Sequence, residues 1–594
     1  MAENIRKHSG RYGFLQGLFI FAWLVNLSST DSYASVYMLC AVAGLFCVCD
    51  NLRNPLRFSG KTALWAAVFS GLFSAATLLA NYRLFEPVRA LLSVFNLACG
   101  FLGGLLVCLN ILLCLADRLP LPGGSGGKHP VRLFFFVFGT IALIDLLYLL
   151  FAAYPGVLTT DSITTMRQIQ QGIYNNTMPF WHTMTVRLFV RAGLALFGDI
   201  NAAVAFFHAA QILFLAACFA YAVMTLYQAG VNRLFLAAAY GLYALMPYNI
   251  VYSVTLWKDV LFGAAVLLFV TALYRLLKKM GKAPWANYAV FILGGMGTCL
   301  WRTNGWYAFL VTAAVMLFLL KKGNRKPLAV MGGILVVCWI LISPLLSVLQ
   351  VDKTDPVEAL AVPFQQIARV VAQGRELTQE ETQLLEKAFR LNKVAQLYTP
   401  ETVDPIKFEA FRNENRDYLQ QHLAQYGKLY LQLGMKYPGD YLKAWVDETK
   451  GYWNGGYSFW IYTWGVDQNE MGIVSSGGGN PVNSLFKALL RYLEKPVLLQ
   501  PLYSIGLWAW ILIGCCLLNL WKKREEFLLT IPLLVLLAGL WLGTPVFAEF
   551  RYAYPLFLSL PLIAGVTIFC REPVTTPDNQ TLHSDSPSSD ANSL

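Results

Sequence analysis

Four short polar stretches, each at the end of a long apolar segment, contain the side chains that could do chemistry. They are YPGVLTTDS with Asp161, TLWKDVLFG with Lys258 and Asp259, LWRTNGW with Arg302 and Asn304, and VFAEFRYAYP with Glu549 and Arg551. Ammonium and guanidinium groups bind phosphate, and a carboxylate can take a proton from an attacking hydroxyl. Acids and bases mixed in this way predict a site for a phosphorylated ligand with a general base beside it.

The elements that must position these side chains are membrane-spanning helices. The 594-residue chain is 57% hydrophobic and only 13% charged, with a mean hydropathy of +0.51. A soluble protein of this size could not bury so much apolar surface. Since a span needs about 20 apolar residues, we predict an all-α polytopic membrane protein with about fourteen transmembrane helices. They fall near 12–29, 33–49, 61–80, 88–116, 131–152, 200–226, 233–251, 256–276, 285–301, 304–320, 327–349, 500–521, 527–545 and 551–570.

The distribution of lysine and arginine predicts the orientation of the chain. Basic residues gather in alternate loops, for example at 275–282, 321–326 and 522–524, and such loops usually stay in the cytoplasm. Both termini would then be cytoplasmic, and the four charged stretches would lie at the outer face of a bacterial plasma membrane. The net charge of +12 is therefore a topology signal, and we expect no nucleic-acid partner.

Composition divides the chain into six segments. We expect N-terminal transmembrane helices over 1–118, a cytoplasmic linker over 119–130, a transmembrane core over 131–349 with a catalytic outer loop at 153–199, an extracytoplasmic, mostly helical domain over 350–499, C-terminal transmembrane helices over 500–571 and a disordered cytoplasmic tail over 572–594. None of the twelve cysteines falls in 350–499, so that domain would fold without disulfides. Thr378 and Glu381 there have the spacing of a helix capping box.

The outer loop at 153–199 predicts two helices. A Pro-Gly pair ends the fifth apolar segment, and apolar residues then recur near helical spacing, which is typical of a short helix along the membrane interface. Asp161 would lie near its N-terminus, where it could act as a base or serve only as the N-cap. A second amphipathic stretch contains His182, which could bind a ligand or pack beside Trp181.

Two further features have more than one interpretation. Asp145 lies inside the fifth predicted span, where an ionisable side chain is costly, and it could be functional or could hydrogen-bond between helices. The segment 452–465 is rich in aromatic residues that could stack on sugar rings or pack a domain onto the membrane. These residues are Tyr452, Trp453, Tyr457, Trp460 and Trp464.

Together these stretches resemble the GT-C superfamily of membrane glycosyltransferases, which includes protein O-mannosyltransferases and the aminoarabinose transferase of lipid A. The similarity lies in an outer loop that begins with Asp161, in NTMPFWHTM with Pro179 and His182, and in EFRYAYP before the last span. PGVLTTDS, WKD, RTNG and FRYAYP are more similar still to an uncharacterised group of bacterial multi-spanning proteins. The paired acids usual in the superfamily are reduced to Asp-Ser here, which leaves the use of Mg²⁺ or Mn²⁺ open.

The resemblance implies a GT-C-like fold and the transfer of a sugar from a polyprenyl-phosphate donor. The acceptor would be an extracytoplasmic molecule such as a cell-surface glycan, a teichoic acid, a lipid or a protein. Asp161 would be the general base. The donor or its phosphate would be held by Lys258, Arg302, Arg551 and His182, with support from Asp259, Glu549, Asn304 and Arg167.

Three other functions fit parts of the sequence. A transporter or flippase for a lipid-linked or anionic solute would also place basic residues near the membrane. Transporters usually have paired halves with broken helices at the midplane, whereas the charges here gather on one face. A polymerase or ligase of surface polysaccharide would share the lipid-linked substrate, and a scaffold for cell-wall polymer would need no catalytic group.

Overall fold

A computed structural model describes most of the chain. The described residues are 2–27, 34–54, 60–85, 90–118, 127, 129–281, 284–319, 325–354, 356–457, 461–463, 465–466, 469–474, 480–493 and 495–570. Over these ranges the chain is helical, and only isolated β-bridges join its extended segments, which confirms the predicted all-α class. Most of the predicted linker at 119–130 and the predicted tail at 572–594 lie outside the described residues.

Four long helices form an N-terminal group. They are α1 (Ala2–Leu27), α2 (Ala34–Arg53), α3 (Gly60–Ala80) and α4 (Ala90–Arg118). The group packs around Trp23 and Tyr37, and it includes close helix contacts at Gly103, where a side chain would collide with the backbone of Phe19. Small residues of this kind let helices approach closely in a membrane.

The central part of the chain is built around one fully buried helix. Its helices are α5 (Pro130–Phe151), α6 (Thr160–Gln171), α7 (Phe180–Phe197), α8 (Ile200–Gln228), α9 (Arg233–Leu245), α10 (Pro247–Ser253), α11 (Lys258–Leu277), α12 (Pro284–Leu300), α13 (Thr303–Leu319), α14 (Lys326–Ile342) and α15 (Pro344–Val348). Every residue of α11 from Asp259 to Leu277 is buried, and α11 packs against α8 and α12. The residues that begin α11 are therefore held in the middle of the bundle.

A second hydrophobic core lies in residues 356–449, which we call the polar domain. Its helices are α16 (Ala361–Ala372), α17 (Gln379–Ala388), α18 (Leu391–Leu397), α19 (Arg416–Gln421), α20 (Leu423–Lys436) and α21 (Pro438–Thr449). Phe364, Phe389 and Phe411 pack together at its centre. Thr378 and Glu381 form the predicted capping box at the start of α17.

The chain then returns to the bundle through α22 (Pro481–Leu493), α23 (Ile505–Trp521), α24 (Ile531–Gly543) and α25 (Tyr554–Ile568). α23 packs on the N-terminal group, where Trp510 lies edge-on to Phe69 and Phe73. α25 packs on α11. Before α25, a short seam joins residues 401–403 of the polar domain to residues 545–547: the Val403 N–H donates to the Pro545 carbonyl (3.2 Å) and the Phe547 N–H donates to the Glu401 carbonyl (3.0 Å).

Eight described helices are long and apolar enough to cross a membrane, so the chain is a multi-pass membrane protein. They are Ser35–Arg53, Ala63–Ala80, Ser93–Leu115, Pro130–Phe151, Ile200–Gln228, Lys258–Leu277, Lys326–Val348 and Phe550–Ile568. The pair α9 and α10, bent by 44°, would make a ninth, and shorter apolar helices occupy Tyr12–Leu27, Thr303–Leu319, Ile505–Trp521 and Ile531–Gly543. A helix occupies each of the fourteen predicted positions. Crossings beyond the eight and the orientation of the chain stay predictions.

Candidate functional site

Local hydrogen bonds position Asp161 in the first turn of α6. The N-cap is Thr159: its side chain accepts from the Ser162 N–H (3.4 Å), and the Ser162 hydroxyl accepts from the Thr159 N–H (2.8 Å). The alternative that Asp161 serves as the N-cap is therefore wrong, because Thr159 takes that position. The Asp161 carboxylate is left for other partners, while the helix N-terminus still favours its negative charge.

The start of α6 is tied to the residues that precede α11. The Val157 N–H donates to the Val254 carbonyl (2.7 Å), and the Ser162 hydroxyl donates to the Leu256 carbonyl (2.7 Å). The Trp257 indole N–H donates to the Thr159 hydroxyl (2.8 Å). These bonds bring the N-termini of α6 and α11 side by side, so that the Asp161 and Lys258 charges interact.

Gly156 makes the turn into this junction. It adopts φ 133°, a conformation that side-chain-bearing residues rarely take, and a Cβ there would collide with the imidazole of His208 on α8. The Pro-Gly pair that ends the fifth apolar segment is thus explained by the conformation of this turn. It lets the chain leave α5, turn tightly over α8 and begin α6 in register with residues 254–257.

Arginine–carboxylate pairs join the four sequence stretches two by two, and the Tyr552 ring contacts the arginine of each pair. Arg551 Nη1 lies 2.7 Å from Asp161 Oδ2, and its Nε lies against the Glu549 carboxylate. Arg302 pairs with the buried Asp259. The predicted convergence of these stretches is present, and Asp161 and Arg551 meet although they are 390 positions apart in sequence.

Aromatic rings hold both guanidinium groups. The Tyr552 ring centroid lies 4.8 Å from the Arg302 guanidinium carbon and 5.0 Å from that of Arg551. The Trp257 ring lies 5.0 Å from the Arg551 guanidinium carbon. Sequence reasoning missed both rings, although each is adjacent in sequence to a predicted site residue, Trp257 to Lys258 and Tyr552 to Arg551.

A cavity of about 360 Å³ opens beside these pairs. It is lined by Thr159, Thr160, Trp257, Tyr462, Thr463, Gly465, Val466, Glu549 and Arg551. One wall is formed by Tyr462, Thr463, Gly465 and Val466. The Val466 N–H donates to the Leu158 carbonyl (2.7 Å), and the Tyr252 hydroxyl donates to the carbonyl of the neighbouring Ile461 (2.8 Å). Convergent polar and charged groups around a concave space are typical of a ligand site.

The surroundings shift the pKa values of the two carboxylates that face Arg551 in opposite directions. Burial alone would raise the pKa of Asp161, but the charges of Lys258 and Arg551 outweigh burial and hold this pKa below its ordinary value. Burial raises the pKa of Glu549, and Arg551 only partly opposes the increase. Asp161 is thus kept ionised, whereas Glu549 binds a proton more readily than an exposed glutamate does.

The remaining predicted residues lie at different distances from this cluster. Lys258 is half-buried, and its Nζ donates to the Thr177 carbonyl (3.3 Å). His182 is buried on α7 near Lys258, without a hydrogen-bond partner among the described residues, and burial together with the Lys258 charge lowers its pKa to about 3. Arg167 instead pairs with Glu470 (2.6 Å) at an exposed position, and Asn304 is exposed at the start of α13. These last two are not brought into the cluster.

The other residues with two interpretations are placed as follows. Asp145 is buried within α5 and lies against Ser253 of α10. Tyr452 and Trp453 are buried, and Trp453 stacks on Trp445, which favours a packing role for these two. Trp460 and Trp464 lie outside the described residues.

The donor set does not fit a divalent cation. Within the described ranges, no three His, Cys, Asp or Glu side chains are grouped to hold a metal ion. Asp161 and Glu549 lie against Arg551, and Asp259 pairs with Arg302, so each carboxylate of the site already faces a cation. Lys258 adds further positive charge, which disfavours Mg²⁺ or Mn²⁺ at this position.

The fold and the site define a helical, multi-pass membrane protein with a charged cavity at the end of the bundle where α11 and α25 begin. Residues 169–580 match a family of unknown function, DUF6020, and because this match covers more than half of the chain, the protein belongs to that family. No curated protein and no solved structure matches the chain. Lys258, Arg302 and Arg551 lie within the matched residues, and Asp161 precedes them.

Proposed function

We propose that this protein is an inverting GT-C-like glycosyltransferase of the bacterial plasma membrane. It moves a sugar from a polyprenyl-phosphate donor to an acceptor outside the cell, such as a surface glycan, a teichoic acid, a lipid or a protein. The observation that supports this proposal is the cluster of Asp161, Arg302, Glu549 and Arg551 beside a cavity of about 360 Å³. A site at the ends of spanning helices suits a substrate whose lipid stays in the bilayer.

The charges of the cluster suit a departing phosphate. Arg302 and Arg551 are each held by a carboxylate and by the Tyr552 ring, while Lys258 has no ion-pair partner among the described residues. A sugar phosphodiester carries a single negative charge, and the phosphate gains charge as it leaves. Fixed cations stabilise such developing charge because they need no reorganisation during the reaction.

Asp161 is the proposed general base. It is ionised, fixed by Arg551 and about 30% exposed at its side chain, so an acceptor hydroxyl can reach it. As the hydroxyl oxygen bonds to the anomeric carbon, the carbon–phosphate oxygen bond breaks and Asp161 takes the hydroxyl proton. Attack opposite the leaving group inverts the anomeric centre.

One observation favours a second candidate function. The pair α9 and α10 is broken and bent by 44°, and discontinuous helices are common in transporters. A transporter for a lipid-linked or anionic solute would move its substrate without cleaving it. Chemical analysis of the lipid after incubation therefore separates the two functions.

The proposal is tested by measuring the polyprenyl phosphate that the purified protein releases from a donor. The wild type would be incubated in detergent with synthetic polyprenyl-phosphate sugars and acceptors, with and without EDTA. We expect Asp161→Asn to lower the release rate by about 10²–10⁴-fold, the usual contribution of a positioned base. Insensitivity to EDTA is expected because the carboxylates of the site are paired with cations.

Asp199→Asn is the matched control. Asp199 caps α8 by accepting from the Ala202 N–H (2.7 Å), and asparagine caps helices equally well. This variant should keep the wild-type rate. Release that persists in Asp161→Asn would refute Asp161 as the base, and intact donor recovered across the membrane of proteoliposomes would favour the transporter.

A further inference from the structure

Two carboxylates share one guanidinium group but differ in their surroundings. Asp161 meets Arg551 through Nη1 at 2.7 Å, and its side chain is about 30% exposed. Glu549 lies against Nε of the same arginine, and its side chain is only 6% exposed. Glu549 lines the cavity, whereas Asp161 stands beside the lining residues Thr159 and Thr160. A ligand in the cavity would therefore contact Glu549 directly.

The backbone fixes the position of Glu549. Its N–H donates to the Tyr452 hydroxyl (3.0 Å), and this hydroxyl donates in turn to the Val546 carbonyl (2.9 Å). The neighbouring Ala548 is buried against Gly451, where a side chain would collide with it. The backbone at Glu549 therefore cannot shift without breaking these contacts.

The groups that face Glu549 come from several elements. They are Arg551 and Tyr552 on its own segment, Asp161 on α6, Asp259 on α11, Tyr252 on α10 and Tyr452 after α21. Arg551 is the positively charged group in this set, and it also forms an ion pair with Asp161. Burial and the two aspartates raise the pKa of Glu549, although Arg551 opposes them. Paired acids whose environments differ in this way commonly divide the acid and base roles.

We infer that Glu549 is a second catalytic group of this site, a general acid that gives its proton to the lipid phosphate as that phosphate leaves. This inference rests on the proposed glycosyl transfer. The bond from the anomeric carbon to the phosphate oxygen breaks with its electron pair on oxygen, and Glu549 protonates that phosphate. Asp161 takes the proton of the acceptor hydroxyl as the new bond forms.

The proton balance is restored after product release. The reaction leaves Asp161 protonated and Glu549 ionised, so Asp161 loses a proton to water and Glu549 regains one. The second ionisation of a phosphate monoester has a pKa of about 6, so the leaving group is basic enough to accept a proton from a buried glutamic acid. Asp259 is unsuited to this role because, unlike Glu549, it does not line the cavity.

The test is the pH profile of polyprenyl phosphate release for the wild type and Glu549→Gln. At acidic pH, where Glu549 is protonated, the variant should be slower by about 10²–10⁴-fold. As the pH rises through the pKa of Glu549, the wild type loses its acid and its rate falls toward that of the variant. Glu549→Asp should keep a falling basic limb, because it keeps a carboxylic acid.

Glu526→Gln is the matched control. Glu526 is also a buried glutamate beside a cation, Lys278 (2.6 Å), but it lies at the opposite end of α11 from Lys258. This variant should keep the wild-type pH profile. Thermal unfolding in detergent would be compared for all variants, so that a folding defect is recognised.

The possible failures are distinguishable. A rate ratio between wild type and Glu549→Gln that stays constant across pH would overturn the acid role and leave a structural one. A Glu549→Gln variant as fast as the wild type at acidic pH would also overturn it. In both cases the wild type still releases polyprenyl phosphate, so the proposed transfer stands. Absence of release by the wild type from every donor would refute the transfer and the acid role together.

Discussion

Two buried clusters of charge in this protein have similar residues and opposite designs. In the polar domain, the fully buried Asp447 accepts from Arg83 (2.8 Å), Arg369 (3.2 Å) and Lys450 (3.0 Å). A hydroxyl, that of Tyr82, completes the shell at 2.9 Å. The cavity cluster instead distributes several carboxylates over its cations, with Asp161 and Glu549 on one arginine.

The two clusters differ in whether polar atoms remain available to a ligand. The partners of Asp447 come from three separate parts of the chain and converge on one carboxylate, so the cluster joins those parts and both Asp447 oxygens have partners. In the cavity cluster, one carboxylate oxygen of Asp259 has no partner among the described residues, and Glu549 faces open space. Charge alone therefore does not distinguish the two clusters, whereas the adjoining cavity does.

The largest expected effect is on the stability of the polar domain. Asp447→Asn would leave the buried Lys450 without its counter-charge and would leave Arg369 only its longer contact to Asp440 (3.7 Å). Breaking a buried pair in this way typically costs about 3–5 kcal/mol. Thermal or denaturant unfolding in detergent measures this loss. Turnover per folded molecule should stay unchanged, and a loss of turnover without a loss of stability would contradict the structural role.

This contribution should also depend on pH. Burial would raise the pKa of Asp447, but Lys450 and Arg83 outweigh burial and hold it below its ordinary value. For an acid with a lowered pKa, the stabilisation is present above the unfolded-state pKa of about 3.9 and is lost as the pH falls through the folded-state pKa. Wild type and Asp447→Asn should therefore converge in stability only in strong acid. Glu414→Gln, in an exposed pair with Arg390, is the control and should change stability little.

A smaller effect is expected from the ring that separates the two arginines of the cavity. Tyr552→Leu removes cation–π contacts to Arg302 and Arg551, each worth about 0.5–2 kcal/mol, so turnover should fall by roughly tenfold. The rate of polyprenyl phosphate release measures it. Tyr437→Leu is the matched control, since Tyr437 also faces two cations, Arg375 and Lys436, in the polar domain. Equal effects of the two variants on turnover would refute the contrast between the clusters.

The smallest effect is expected at Arg167. Its pair with Glu470 is about half exposed on both sides, and such pairs contribute about 0–1 kcal/mol. Arg167→Ala should change the unfolding temperature by little and turnover by less than twofold. A large drop in turnover would show that the 469–474 segment, which this pair attaches to α6, must be held in place for the reaction.

The convergence of the site could be predicted from the sequence, but its internal pairing could not. Charge at the ends of apolar segments predicts that Asp161, Lys258, Arg302 and Arg551 meet, because spanning helices return to the same face. Which acid pairs with which base depends on helix rotation. Arg167 follows Asp161 by six positions, which at 3.6 residues per turn places it about 240° around α6 and away from the cluster.

Local sequence also could not identify the N-cap of α6, because several neighbouring residues suit that position. In TTDS, threonine, aspartate and serine all make good N-caps, and only the reciprocal bonds of Thr159 and Ser162 decide between them. In the polar domain, by contrast, the spacing of Thr378 and Glu381 identified the cap, because no competing residue has a partner three positions on. The cavity wall at 461–463 and 465–466 depends on long-range contacts to Leu158 and Tyr252, for which the local sequence contains no signal.

The seam between residues 401–403 and 545–547 couples the polar domain to the cavity. Its hydrogen bonds run from backbone to backbone, so a movement of the domain that preserves them displaces the segment leading to Glu549. On the other side of that segment, Ala548 is pressed against Gly451, the residue reached two positions after α21 ends. The polar domain is thereby coupled from both sides, through backbone hydrogen bonds and close packing, to the cavity wall at Glu549.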